Sequence, residues 1–248
     1  MAAQACACCV VSALVVWSFW WCEVSPRALA TATPQFTEFA SRLWPPDLSV
    51  LKTVVRSTGE TLLMAFAGTV LSIIISLPLG FLAASNVSPA WVSSPIKWML
   101  GLLRSIPLIV VAIMFVVGVG LGPFPGVLAI AFHSVGMLGK FYAEEFETAE
   151  RGIVQAIDGT GATWLQTIRF GLLPQSIPQL VAFTVYRLEM NFRDAAVLGY
   201  VGAGGIGWEI KKYVGSFQYD KVATLLLVII AVVTMLDLLT YWVRKRVR

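Results

Sequence analysis

Apolar runs of about twenty residues recur along this 248-residue chain, separated by short polar stretches. Six stand out, at roughly 6–22, 57–84, 97–121, 124–142, 175–198 and 222–243. A hydrocarbon core of ~30 Å requires about 20 residues of helix to cross it. A segment in lipid must satisfy its own backbone hydrogen bonds, which leaves helices or a closed barrel. A barrel would show alternating polarity, and no such alternation appears. The pattern predicts an all-α polytopic membrane protein with about six transmembrane helices. Only a tight turn, 118-GVGLGPFPG-126, separates the third and fourth segments.

The interruptions carry patterns of their own. Between the first two runs lie Pro26, Pro34, Pro45 and Pro46. There 35-QFTEFASRLW-44 sets Phe36, Phe39, Leu43 and Trp44 on one helical face, as in a helix lying on a membrane surface. The loop 85-SNVSPAWVSSP-95 is brief and polar. Residues 143–174 hold five of the fourteen acids: Glu144, Glu145, Glu147, Glu150 and Asp158. Within them Ile153, Ala156 and Ile157 share one face before Gly159 and Gly161, and Leu165, Ile168 and Leu172 share another after them. That spacing predicts two short amphipathic helices joined at a glycine bend. The bend requires backbone freedom or close approach by another chain. Leu173-Pro174 is expected to close the unit, because the residue before proline leaves the helical region readily. The apolar faces have two homes, under the chain's own bundle or in a groove on a partner. A plain connecting loop with helical content is the third reading.

Composition agrees with the spans. Hydrophobic residues make up 58% and charged residues 13%, with a mean hydropathy of +0.79, which excludes an ordinary soluble domain. The net charge of +4 does not point to nucleic acid, because Arg244, Lys245, Arg246 and Arg248 follow the last apolar run directly. Such a cluster marks a cytoplasmic membrane edge. With six spans it places both termini and 143–174 in the cytoplasm. Counted with that cluster, Lys and Arg are split evenly between the two sides, so the cluster itself decides the orientation. Cys6, Cys8, Cys9 and Cys22 all lie in the first run, without a histidine or a second cysteine pair beside them, and are read as small apolar fillers. The N-terminus has no basic leader and no A-x-A site, so the first span is expected to be retained.

Enzymatic chemistry has little material. No G-x-x-x-x-G-K-[ST] P-loop, H-E-x-x-H or G-x-S-x-G occurs, and His133, the sole histidine, lies inside a span, where a hydrogen-bonded packing role is expected. No catalytic or metal-ligating residue is assigned. The run 202-GAGGIG-207 fits G-x-G-x-x-G formally, but its neighbours are membrane-like and not a βαβ unit. Gly202, Gly204, Gly205 and Gly207 are read as allowing a tight, non-helical backbone near the outer face. Ionisable groups at membrane depth usually face a protein interior. Arg104, seven residues after Lys97 and beside Ser105 and Pro107, either snorkels or caps its helix, or lines a kinked cavity. Glu189 and Arg193 are spaced to pair, leaving Arg187 without an evident local partner. A cation there could lower the barrier for a passing oxyanion; a structural ion pair is the alternative. Glu189 and Asp237 are the only deep acids and neither has an acidic partner in view, which argues against an ion-coupled transporter.

The spacing from 155 to 174 resembles the EAA signature of binding-protein-dependent ABC importer permeases. Gln155-Ala156-Ile157 occupies the Glu-Ala-Ala triplet, Gly161 follows at the family distance, and Leu173-Pro174 closes the motif. Gln replaces Glu, Ile replaces Ala, and Gly171 stands at an apolar position. The stretches 104-RSIP-107, 160-TGAT-163 and 186-YRLEMNFRDAAVLGYVGAGGIG-207 are similar to phosphonate-type permeases of that superfamily. The resemblance covers roughly 50–248, with 1–49 as a first span and outer loop. It implies a type I importer permease fold with a cytoplasmic coupling helix. Gln155, Ala156, Ile157, Gly161, Leu165, Ile168, Leu173 and Pro174 would meet the ATPase, Arg104, Arg187, Glu189 and Arg193 would face the pathway, and the 202–207 glycines would form an outer gate. It also implies a homodimer in the bacterial inner membrane with two ABC ATPases that carry the ATP and Mg. The chain itself would hold no cofactor. A soluble periplasmic or lipid-anchored binding protein would deliver phosphonate, phosphite or hypophosphite. Methionine or another small solute is the alternative cargo, and an ion-coupled secondary transporter the alternative class.

Overall fold

The computed structural model describes the backbone of residues 2–247 and the side chains of these except 2–9, 26–29 and 247. All regular structure among the described residues is helical. The chain separates into two compact units, Met1–Pro46 and Asp47–Arg248.

The first unit holds α1 (Ala2–Trp21) and α2 (Pro26–Arg42). Phe36 and Trp44 are exposed, and Arg42 pairs with Glu38 at 2.7 Å. Cys22 is free and exposed, one residue past the end of α1 and so outside the helix it was expected to fill; the side chains of Cys6, Cys8 and Cys9 lie outside the described residues.

The second unit is built around α3 (Leu51–Ala83) and α6 (Pro123–Thr148), the most extensively paired helices in the chain. α3 is patterned inside out. Its buried positions include Ser57, Thr58, Thr61, Ala65, Gly68, Thr69, Ser72, Ser76 and Gly80, while Leu63 is 70% exposed and Ile74 64%. Lipid is as apolar as leucine, so bulky residues gain nothing by turning inward, and small ones let backbones approach. A methyl group on Gly68 would lie 2.6 Å from Ile130 Cγ2 of α6. Three of the buried hydroxyls are satisfied within the helix, Thr58 donating to Val54 O at 2.7 Å, Thr61 to Ser57 O at 2.9 Å and Thr69 to Ala65 O at 2.6 Å, while Ser76 donates across to Val135 O of α6 at 3.4 Å.

The third apolar segment is not one straight helix. It divides into α4 (Ala90–Ser105) and α5 (Leu108–Val119), bent by 85° at Ile106-Pro107. Pro107 forces the cause: Ile106 before it is extended at φ −80°, ψ 123°. α4 packs on α6, where a Cβ on Gly136 would meet Arg104 N at 2.9 Å and Leu100 O at 3.0 Å. α6 runs to Thr148, so 143–148 belong to a span's extension and not to the polar connection.

Three helical stretches, Leu48–Ala83, Pro123–Thr148 and Tyr219–Arg246, are long and apolar enough among the described residues to cross a membrane, and the α4–α5 pair makes a fourth if its two bent halves count as one span. Between them lie α7 (Arg151–Asp158) and α8 (Trp164–Gln166). A π-helical turn, Thr167–Leu172, leads from α8 into α9 (Leu173–Leu198). α9 has the length of a span but carries Arg187, Glu189, Arg193 and Asp194. α10 (Gly205–Gly215) and α11 (Tyr219–Val247) complete the chain. One core cluster joins Met64, Val111, Ile130, Phe192 and Leu198, and a second joins Leu138, Tyr142, Phe146, Leu172 and Leu180, with Phe81 stacked on Phe146 at 4.3 Å.

Candidate coupling segment, membrane-depth charges and glycine loop

The polar connection starts with an extended corner at Ala149 and Glu150 and turns into α7. Glu150 N–H donates to Gln175 Oε1 at 2.9 Å, and Gln175 Nε2 donates to Gly171 O at 2.6 Å. Val154 and Ile157 lean on Gly171, where a Cβ would stand 3.2 Å from Ile157 Cδ1. The glycine at the motif's apolar position thus admits α7 against the π turn. Thr167 Oγ1 donates to the Asp158 carboxylate across the same contact. Trp164 Nε1 donates to Val87 O at 3.2 Å, tying the segment to the loop after α3. That loop is held in turn by Glu147, whose Oε1 accepts from Ser85 N and Oγ, both at 2.7 Å, and from Lys97 Nζ at 2.6 Å.

Gly161 has φ +80° and no atom within 4 Å of where a Cβ would sit. Its requirement within the chain is conformational. Thr163 and Gln166 form a reciprocal capping box that starts α8.

The faces differ from the periodic expectation. Ile157 turns inward with Val154, while Gln155 and Ala156 are exposed and Ile153 is 41% exposed at the flank. Ile168 and Leu172 are buried, but Leu165 is 67% exposed, with Trp164 and Phe170 beside it on the surface. The wider π turn breaks the 3.6-residue register between Leu165 and Ile168. Nor does Leu173-Pro174 end a helix. Pro174 sits in the first turn of α9, directly after the π turn, and α8 is continuous with α9 through it. Proline lacks an N–H and crowds the carbonyl four residues back; a widened turn relieves both.

At mid-span the structure gathers a buried polar chain. Arg187 is 4% exposed. Its Nε donates to Ser134 Oγ at 3.0 Å, its Nη1 meets Met137 Sδ at 3.0 Å and its Nη2 meets Asp194 Oδ2 at 3.4 Å. Ser134 donates to Asn191 Oδ1 at 3.0 Å, and Asn191 Nδ2 to Thr69 Oγ1 at 2.8 Å. Helices α3, α6 and α9 are thereby joined. Arg187 therefore has a local partner after all, two helical turns along the same helix. Glu189 and Arg193 pair as their spacing predicts, and Arg193 Nη2 also meets Asp237 Oδ1 of α11 at 3.2 Å. The two deep acids thus share one guanidinium, contrary to their expected isolation. Arg104, on the last turn of α4, is exposed and forms no hydrogen bond or ion pair among the described residues. His133 is half-buried and hydrogen-bonds the Ile106 backbone, as its packing role predicts, while its Nδ1 lacks a partner among the described residues.

At the opposite end from α7, Gly202, Gly204 and Gly205 have φ of +98°, +77° and +66°. The backbone is non-helical at 202–204 as expected, but Gly205 and Gly207 already belong to α10. Gly205 N–H donates to Glu60 Oε1 at 3.3 Å and Ile206 N–H to Thr61 Oγ1 at 2.8 Å, so α3 side chains cap α10. Gly122 N–H donates to Gly202 O at 3.0 Å. Glu60 and Thr61 escaped notice in the sequence because nothing there paired them with a loop some 145 residues away.

This arrangement is a polytopic helical bundle with an exposed helical corner between its spans. Residues 76–248 match the family model described as the binding-protein-dependent transport system inner membrane component, and the chain belongs to that family. It is a multi-pass inner-membrane permease, the non-catalytic subunit of a system that also uses an ATPase and a binding protein. Among relatives, the phosphite transport system permease protein PtxC of Stutzerimonas stutzeri is 39% identical over 238 residues, covering 95% of this chain and 86% of its own. The putative phosphite transport system permease protein HtxC of the same organism is 38% identical over 232 residues, 93% of this chain and 82% of its own. The probable D-methionine permease MetI of Pasteurella multocida is 28% identical over 162 residues, 61% of this chain and 75% of its own. A chain of the inward-facing MetNI methionine ABC transporter shares the fold, with a TM-score of 0.74 at 23% identity over 82% of this chain and 99% of that one.

Proposed function

We propose that two copies of this chain form the translocation pathway for a phosphorus oxyanion, namely phosphonate, phosphite or hypophosphite. The observation that carries the cargo is the identity of 38% and 39% to two phosphite permeases along more than nine-tenths of the chain. Two ATPases attach at the cytoplasmic end, and a periplasmic or lipid-anchored receptor docks at the other. Both termini lie in the cytoplasm, with the basic end of α11 at the membrane edge.

The exposed part of the 149–172 corner supplies the ATPase contact. Gln155, Ala156, Leu165 and Pro174 are exposed there, while Ile157, Ile168 and Leu173 set the corner against the bundle and Gly161 shapes its bend. ATP-driven approach of the two ATPases displaces these corners and rocks the spans between inward- and outward-open states. Arg104, Arg187, Glu189 and Arg193 belong to the pathway wall or its support, and Gly202, Gly204, Gly205 and Gly207 to the outer gate. Capping of α10 by Glu60 and Thr61 supports the gate reading, because it links α3 to the glycine loop.

The test reconstitutes the chain with its co-purifying ATPase and receptor and measures ATP hydrolysis. Receptor loaded with phosphite or a phosphonate should accelerate it. Acceleration by methionine-loaded receptor alone would move the cargo to the second reading, which the MetI relative favours. Uptake without any hydrolysing subunit would remove the ATP-driven mechanism.

A further inference from the structure

The two arginines at mid-depth are not equivalent. Arg187 is engaged on all sides by Asp194, Ser134 and Met137, and almost none of it reaches solvent. Arg104 is exposed and has no hydrogen-bond or ion-pair partner among the described residues. Its depth follows from its neighbour. Its backbone nitrogen lies against Gly136, at the middle of α6 and two residues from the serine that holds Arg187. Its direction follows from the helix. Arg104 stands four residues after Leu100, which is fully buried, and seven after Lys97, which pairs with Glu147 of α6 at 2.6 Å. Those spacings put it on the stripe of α4 that turns toward α6 and not on the stripe of Trp91 and Leu102. A groove of about 520 Å³ lined by Ser93, Ser94, Lys97, Trp98, Gly101, Leu102 and Ser105 runs along the neighbouring face of α4 and shares Lys97 with the Arg104 stripe.

An ionised side chain at this depth faces water, a partner or a passing ion. We infer that Arg104, and not Arg187, is the side chain that touches the cargo, and that it takes a small tetrahedral oxyanion at the middle of the membrane. The planar donor fork of guanidinium matches two oxygens of such an anion at once. A single fork per subunit provides a resting point without the full ligand set that would trap the ion. Arg187 is the brace that holds α3, α6 and α9 in place around it. The inference rests on the pathway and cargo proposed above.

The test uses the whole complex in vesicles, with Cys6, Cys8, Cys9 and Cys22 replaced by alanine. Arg104→Cys should react with a charged, water-soluble thiol reagent, as a side chain that faces the aqueous pathway must. Arg187→Cys should stay unreactive. Arg104→Gln should lower phosphite uptake per ATP hydrolysed by about tenfold while receptor-stimulated hydrolysis changes less than about twofold, and Arg104→Lys should retain an intermediate rate. A cysteine at 104 that does not react overturns the contact. So does wild-type uptake by Arg104→Gln. Wild-type vesicles that take up no phosphorus oxyanion would sink the cargo assignment and the contact together, whereas wild-type uptake beside an unaffected Arg104→Gln sinks the contact alone.

Discussion

At the scale of single residues, two positions separate packing from function. Gly161 holds φ +80° with open space around it, so its demand is on the backbone. Residues with a Cβ lose about 1–2 kcal/mol in that region, and asparagine less than most. Gly161→Val should therefore weaken ATPase binding by roughly tenfold, while Gly161→Asn stays near wild type; titration of the ATPase onto reconstituted permease reads both. If the valine variant binds normally, the bend is not a determinant of docking. Arg187 gives the opposite case. Removing it leaves the half-buried Asp194 carboxylate without its cation and Ser134 without a donor, a loss below the ~3–5 kcal/mol of a fully buried pair. Arg187→Met should lower the unfolding midpoint sharply, and adding Asp194→Asn should recover part of the loss. Additive losses in a thermal double-mutant cycle would show that the two do not interact. The Glu189–Arg193 pair could be read from a spacing of four, but Asp194 serves Arg187 from seven residues away, where a helix has made two full turns.

Elements show where periodicity is a sound guide and where it is not. The amphipathic corner was visible as polar sequence between apolar runs. Its faces were not, because a π turn before Pro174 shifts the register and because α8 never separates from α9. Pro174→Ala restores a backbone N–H and removes the crowding that the widened turn relieves. The turn should then tighten toward α-helix and swing Trp164 and Leu165 around the axis. The permease should remain folded and still bind receptor, yet lose most receptor-stimulated ATP hydrolysis. Full stimulation in that variant would mean that the π turn does not set the docking face. At the other end of the bundle, Thr61→Val leaves the Ile206 N–H without its acceptor, a loss of about 1–3 kcal/mol for a buried donor. Amide exchange in the first turn of α10 should speed up in that variant while exchange in α6 is unchanged. The 85° break likewise hid in an unbroken apolar run, although Pro107 was in plain sight: hydropathy reports how far a segment can reach into lipid, not whether it is straight.

For the whole molecule, composition and run length were enough to foresee a helical membrane protein, and the 155–174 spacing was enough to foresee the family. What stayed hidden was long-range: which loop meets which, and which helix supplies the cap of another. Those contacts join residues separated by 77 positions, as with Trp164 and Val87, or by 145, as with Thr61 and Ile206, and nothing local encodes them.

The inside-out stripe of α3 also sets how the chain will tolerate change. In a water-soluble domain, saturation mutagenesis is most severe at large aliphatic positions. Here the ordering should invert along one helix: exchanges among leucine, isoleucine and phenylalanine at Leu63, Phe66 and Ile74 should pass almost unnoticed, while a single added methyl at Gly68 or Ser72 should be purged.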